Sequence, residues 1–242
     1  MSRDTGLFLC RIKFCLTLKL YERRNMNFGE FENMLHRLAE QGRLPESGTE
    51  TLQKFQKMEG IYKAWNEKIN VISRKDIENG FYEHHILHSL ALAAYLHEHG
   101  RSLDGTVLDL GTGGGFPGIP LAAIYPQAHF VLCDSIGKKT KVAKGVAEEL
   151  GLPNVEVVNA RAESLGRQFD TVVSRAVSSL VDFYPWVRGY YKKSILYLKG
   201  GDVALETGEL MSRFRLPKGS VKVSPIKFDG EWFAQKYVVE IE

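Results

Sequence analysis

The chain has 242 residues, room for one substantial core with a small unit attached, and its 44% hydrophobic and 25% charged residues are those of a globular protein. A net charge of only +3 excludes an overall polycation, so a polyanionic partner would have to be met by local clusters. Three cysteines, Cys10, Cys15 and Cys133, exclude a paired disulfide framework and suit a reducing, cytoplasmic setting.

Residues 1–25 are leucine-rich, but Arg11, Lys13 and Lys19 interrupt the apolar run. That pattern is too charged to cross a bilayer and lacks the small-residue cleavage site of a signal peptide. Met26 opens a cleaner amphipathic pattern, so residues 1–25 read as an appendage or a mis-assigned start. No other stretch approaches membrane-spanning length.

Residues 26–100 read as a helical cap. FENMLHRLAEQG forms one helix, ending at Gly42 before Pro45. A second, capped by Thr49, carries Leu52, Phe55, Met58, Tyr62 and Trp65 at steps of three and four. A third, capped by Asp76, runs to Gly100 and holds His84, His85, His88, His97 and His99. His84 and His88 have the spacing of a metal pair, but no third ligand accompanies them and no metal is expected.

Residues 101–242 change period. TVLDL, HFVLCD, VEVVNA, FDTVVSRA and ILYLKG read as strands, with helices between them in FPGIPLAAIYP, GKKTKVAKGVAEELG and LVDFYPWVRGYYKK. This alternation predicts a parallel sheet with right-handed crossovers. SVKVSPIKF and KYVVEIE, around a turn at DGE, predict an antiparallel edge, while GGDVALE fits strand or helix. The fold class is therefore α/β, a Rossmann-like sheet carrying an N-terminal helical cap on one packed domain.

The stretch VLDLGTGGGFPGIP, residues 107–120, puts five glycines and two prolines directly after the first strand. In an open α/β sheet a ligand sits beyond the strands' carboxyl ends, where missing Cβ atoms let it approach the backbone. Gly113-x-Gly115-x-x-Gly118 matches the dinucleotide pattern, with Asp134 near the distance of a ribose acid. Asp109-Leu110-Gly111-x-Gly113-x-Gly115 matches the loop of S-adenosylmethionine enzymes, where an acid engages the cofactor's cationic amino end directly or through water. A tight turn with no ligand is the third reading. The acid at 109 and the antiparallel tail favour S-adenosylmethionine. Asp134 can then accept both ribose hydroxyls, and Ala162 and Glu163 follow the third strand, where Ala162 can offer an N–H to the adenine. Cys133, inside an apolar strand, reads as core.

Three stretches combine cations with few or no acids. Residues 135–147 carry Lys138, Lys139, Lys141 and Lys144. Residues 183–201 carry Arg188, Lys192, Lys193 and Lys199 among Tyr184, Trp186, Tyr190, Tyr191 and Tyr197. Residues 211–228 add Arg213, Arg215, Lys218, Lys222 and Lys227. Cations neutralise phosphates and aromatics stack unpaired bases, so RNA is the expected partner, with Lys138, Lys139, Arg188, Lys192, Lys193 and Lys199 as candidate contacts.

DLGTGGGFPGIPLA, DSIGKK, RAE, SRA and LKG, preceded by WNEKINVISRKD and HHILHSL, stand in the order and at the approximate spacing of a known family. Over residues 28–242 the chain resembles the bacterial 16S rRNA methyltransferase G family (glucose-inhibited division protein B). His88 departs from it, standing where many members have an acid, and so do residues 1–25. The resemblance implies a seven-stranded S-adenosylmethionine-dependent fold that methylates N7 of a guanine in the 530 loop of 16S rRNA. It implies cofactor contacts at Gly111, Phe116, Ala162, Glu163 and Arg175; the expected partner is 16S rRNA or a 30S assembly intermediate, and the enzyme is expected to be a monomer. Guanine N7 has a lone pair and no proton, so in-line transfer needs positioning and no general base. Arg175 is the expected positioning residue, forking onto guanine O6, a phosphate or the methionine carboxylate. A small-molecule methyltransferase and a non-catalytic RNA-binding protein on the same scaffold are the alternatives.

Overall fold

A computed structural model describes residues 25–242; the predicted appendage, residues 1–25, lies outside the described residues but for Asn25. Helix α1, Phe28–Glu40, starts on a reciprocal cap in which the Asn27 side chain accepts from Glu30 N and the Glu30 carboxylate accepts from Asn27 N. Its Phe31, Met34, Leu35 and Leu38 fall on one buried face. Helix α2, Thr49–Lys68, buries Phe55, Met58 and Tyr62. Its cap is Gly48, which offers no side chain; Thr49 lies inside the helix.

The third predicted helix is three pieces. Short α3, Arg74–Asn79, is capped by the Ser73 hydroxyl, which accepts from Asp76 N. After Gly80 comes a π-helical turn, Phe81–Leu87, and then α4, His88–Glu98. Asp76 does not cap the long helix because Ser73 precedes it by one turn and takes that role. Residues 88–96 of α4 are all buried, as expected of a helix enclosed on every side.

Seven strands form one sheet in the order β3-β2-β1-β4-β5-β7-β6. These are β1 Thr106–Leu110, β2 His129–Asp134, β3 Val155–Asn159, β4 Phe169–Arg175, β5 Tyr191–Gly200, β6 Val221–Pro225 and β7 Lys236–Ile241. All neighbours from β3 to β5 pair in parallel, and β7 is antiparallel to both β5 and β6. The tail is the expected antiparallel edge, a β6–β7 pair, and within it the last strand, β7, lies on β5 and leaves β6 outermost. The chain turns at DGE as expected, running into a 3-10 turn, Glu231–Phe233, and GGDVALE opens a helix.

Side chains alternate between two cores. Val107, Phe130 and Leu132 point to the face covered by the cap, α4, α5 (Gly118–Ile124) and α6 (Gly137–Glu149). Leu108, Leu110, Val131 and Cys133 point to the face covered by α7 (Leu180–Val187) and α8 (Val203–Phe214). The cap shares the first core with the sheet, so the two pack as one body. Fully buried aromatics such as Phe31, Phe55 and Phe130 each contribute about 2–3 kcal/mol of hydrophobic stabilisation. Trp65 of α2 rests on α6, where a Cβ at Gly145 would collide with its indole, and its Nε1 donates to Glu149 at 2.9 Å. Among the described residues no helix is long and apolar enough to cross a membrane.

Candidate active site

Strand order reverses between β1 and β4, and a cleft of about 560 Å3 opens beyond the carboxyl ends there. It is lined by Gly111, Gly113, Phe116, Asp134, Ala162, Glu163 and Arg175 among the predicted residues. Gly113 shows why the loop is glycine: its φ is +57°, and a Cβ there would meet nothing within 4 Å, so it would project into open space.

The two acids of the loop region differ. Asp134 lines the cleft; its Oδ2 accepts from Gly113 N at 3.0 Å and its Oδ1 from Ile136 N at 2.9 Å. Each oxygen keeps a lone pair, which suits a vicinal diol. Asp109, expected to engage the cofactor directly or through water, does not line the cleft, which removes the direct contact. It is 0% exposed beneath the loop, where Oδ2 accepts from Thr112 Oγ1 at 2.6 Å and Gly118 N at 2.8 Å. Burial pushes its carboxyl up to about 7, against those two hydrogen bonds and the Arg175 charge. Gly115 also stands away from the cleft: its φ is +114°, and a Cβ would meet Ile119 and the Tyr62 hydroxyl. Both residues shape the loop from below.

Arg175 ends β4, and Ala176 after it adopts a left-handed φ of 50°. A non-glycine residue there is strained, and such strain gathers at functional sites. The turn is held by Tyr197, whose hydroxyl accepts from Val177 N at 2.9 Å and Ser178 N at 3.1 Å. The Arg175 guanidinium lies over Phe116, 5.0 Å from the ring centroid. Nη1 donates to the His84 carbonyl at 3.0 Å and Nη2 to His85 Nδ1 at 3.1 Å. Desolvation lowers it to about 10, which leaves it charged at neutral pH. Opposite, Ala162 starts a short 3-10 turn, and no protein acceptor meets its N–H among the described residues. Loop glycines, a ribose-spacing acid, a free N–H, the apolar Ile136 and Val177 and a forked cation together fit an adenosyl group bearing an amino-acid tail.

Sequence reasoning missed the cap's share. Tyr62 donates to Gly114 O at 2.9 Å and stacks on Phe116 at 4.7 Å, while Val71 packs on Gly114 and lines the cleft. Tyr62 and Val71 sit in helical and loop contexts that carry no ligand signature, so only tertiary packing reveals them.

The predicted RNA contacts are not brought together. Lys138 and Lys139 start α6 beside the cleft, and Lys139 lines it. Lys199 is turned inward onto Glu206 at 2.7 Å and Ser178 O at 3.1 Å. Arg188, Lys192 and Lys193 lie at the sheet's opposite end, where β5 begins, with Lys192 on Asp170 at 3.4 Å and Lys193 on Asp104. Tyr184 and Tyr197 are buried, whereas Trp186 lines the cleft. Cys133 is fully buried and donates to Ala160 O. His84 and His88 both pack on Trp232, and among the described residues no cluster is placed to hold a metal.

The model of the GidB family, described as rRNA small subunit methyltransferase G, matches residues 50–230. The chain belongs to this family. A ribosomal RNA small subunit methyltransferase G from Flavobacterium johnsoniae is 45% identical over 199 residues, 78% of this chain and 90% of that one. Its Porphyromonas gingivalis counterpart is 48% identical over 193 residues, covering 77% and 85%. Among solved structures, magnesium protoporphyrin IX methyltransferase from Synechocystis PCC 6803 is similar in fold, with a TM-score of 0.54 at 15% identity over 81% of this chain and 97% of that one. A SAM-dependent methyltransferase from Aquifex aeolicus gives 0.50 at 18% identity over 76% and 97%. The chain thus has the seven-stranded architecture of S-adenosylmethionine-dependent methyltransferases.

Proposed function

We propose that this GidB-family enzyme transfers the methyl group of S-adenosylmethionine to N7 of a guanine in the 530 loop of 16S rRNA. The observation that carries it is the pairing of an Asp134–glycine-loop cradle with a forked, charged Arg175 across one cleft. The bound sulfonium supplies the electrophilic methyl. Asp134 holds the ribose, Ala162 N the adenine edge, and Phe116 the floor beneath Arg175. Arg175, with two donors committed to the cap, has N–H groups left for guanine O6 or for the cofactor carboxylate. The base's N7 lone pair attacks in line, so the residues need only exclude water and fix the approach.

RNA would cross the carboxyl rim. Lys139 and Arg161 line the cleft, Lys138 adjoins Lys139 at the start of α6, and exposed Arg74 and Lys75 follow Val71 on the cap side; none of the five is held in an ion pair among the described residues. Labelled S-adenosylmethionine incubated with 16S rRNA or 30S subunits should place label on one guanine, at a position that cleaves as 7-methylguanine does. Label on another nucleoside, or on small molecules alone, would reject the reading.

A further inference from the structure

The π-helical turn Phe81–Leu87 interrupts a helix that would otherwise run through the histidine-rich segment. Such turns are rare and recur at functional sites, because an i→i+5 ladder shifts groups that regular α-geometry keeps engaged. Here His88 N reaches back to Glu83 O, five residues earlier, and the Ser89 hydroxyl donates to His85 O. Within the same turn the His84 carbonyl and the His85 ring face Arg175 of β4, about ninety positions away in sequence. Gly80 permits this, since a Cβ there would strike the His84 imidazole.

Every plane of the guanidinium is then specified by a neighbour. Phe116 lies against its face, with Tyr62 stacked behind Phe116, and His85 tilts against the same phenyl ring at 5.0 Å. The edge formed by Nη1 and Nη2 is clamped by the two acceptors of the π-turn. Because Nδ1 of His85 accepts, Nε2 carries the ring proton, and Nε2 is buried without a partner. An unpartnered buried N–H is destabilising, so the arrangement sacrifices stability to hold this contact. Burial, then the charge of Arg175, keeps His85 neutral, so it accepts across the physiological range.

We propose that His85 is a positioning residue for methyl transfer: its Nδ1, delivered by the π-turn with the His84 carbonyl, fixes the guanidinium plane of Arg175 toward the base. The inference rests on the assignment of Arg175 to the methyl-transfer cleft. It gives the helical cap a part in turnover, because the clamp belongs to the cap and the arginine to the sheet.

The test is a double-mutant cycle read by single-turnover methylation of 30S subunits, with cofactor affinity measured separately by calorimetry. His85→Leu should slow transfer about tenfold, the scale of one lost hydrogen bond to a charged group, with cofactor affinity within threefold. His85→Asn, whose Oδ1 reproduces an acceptor near Nδ1, should recover most of the rate, and His85→Gln should not. Adding His85→Leu to Arg175→Ala should cost nothing further. Wild-type turnover in His85→Leu, equal losses in the Asn and Gln variants, or additive losses in the double mutant would overturn the inference while leaving the methylation reading intact. If His85→Leu does not fold, the Asn and Gln variants decide. Full turnover in Arg175→Ala would remove Arg175 from the site, and the clamp's role with it.

Discussion

The two rims of the sheet use similar residues to opposite ends. At the amino rim Asp170 accepts from Thr106 N and Thr106 Oγ1, both at 2.8 Å, with Lys192 beside it, and Lys193 closes onto Asp104. At the carboxyl rim Asp134 accepts two loop N–H groups and still lines an open cleft, and Lys138, Lys139 and Arg161 have no acidic partner among the described residues. Hydrogen-bonding capacity is used up on one side and left spare on the other. A charge-rich stretch of sequence is thus no guide to a binding face until its partners are known.

Asp134→Ala should break the carboxyl rim hardest, lowering cofactor affinity about 100-fold as two charge-assisted contacts and the Gly113 tether are lost. Asp170→Ala, at the other rim, should leave affinity within twofold and instead lower stability by about 1–3 kcal/mol. Calorimetric titration and denaturant melts on both variants compare the rims directly; equal losses of affinity would dissolve the distinction. Next in size, neutralising Lys138, Lys139 and Arg161 to Gln should weaken rRNA binding about tenfold in physiological salt and flatten the log–log salt dependence by about 2. The pair Lys192→Gln and Lys193→Gln should change neither quantity; a flattened slope there would move the RNA to the amino rim.

The smallest expected effect is on pH. Burial first, and the Arg175 charge second, hold His85 down to about 3 and His88 well below the ordinary imidazole value. As pH falls below about 6.5 the unfolded chain binds those two protons and the folded one does not, so stability falls. Asp109 opposes this: burial raises it to about 7, so between there and about 4 the folded chain holds one proton the unfolded chain lacks. With two imidazoles on one side and one carboxyl on the other, stability should fall as pH drops below about 6.5. His84 acts above that window. Burial opposes its protonation, but Glu83 and Asp76 outweigh burial and raise it, so its contribution is full below about 6.5 and fades as pH rises through the elevated value. Melts across this range check the slope; a flat profile would mean charged imidazoles inside the cap.

The parallel strands, the glycine loop, Asp134 and Arg175 were legible because each is written locally, in periodicity, missing side chains and strand ends. The insertion of β7 was not, since which edge a strand joins is decided by packing between distant segments. Asp109 was legible as an acid before glycines, yet its burial under Thr112 and Gly118 N depends on how the loop folds back. The cap's sequence reads as helix throughout because a π-turn has no pattern of its own beyond Gly80 and a dense aromatic run.

Trp65 lies on α6 across a missing Cβ, less than one helical turn beyond Tyr62, whose hydroxyl braces the glycine loop. That indole, and Trp186 in the cleft lining itself, are built-in fluorophores: filling the cleft should alter their emission without any label, giving an optical titration of the empty and loaded enzyme.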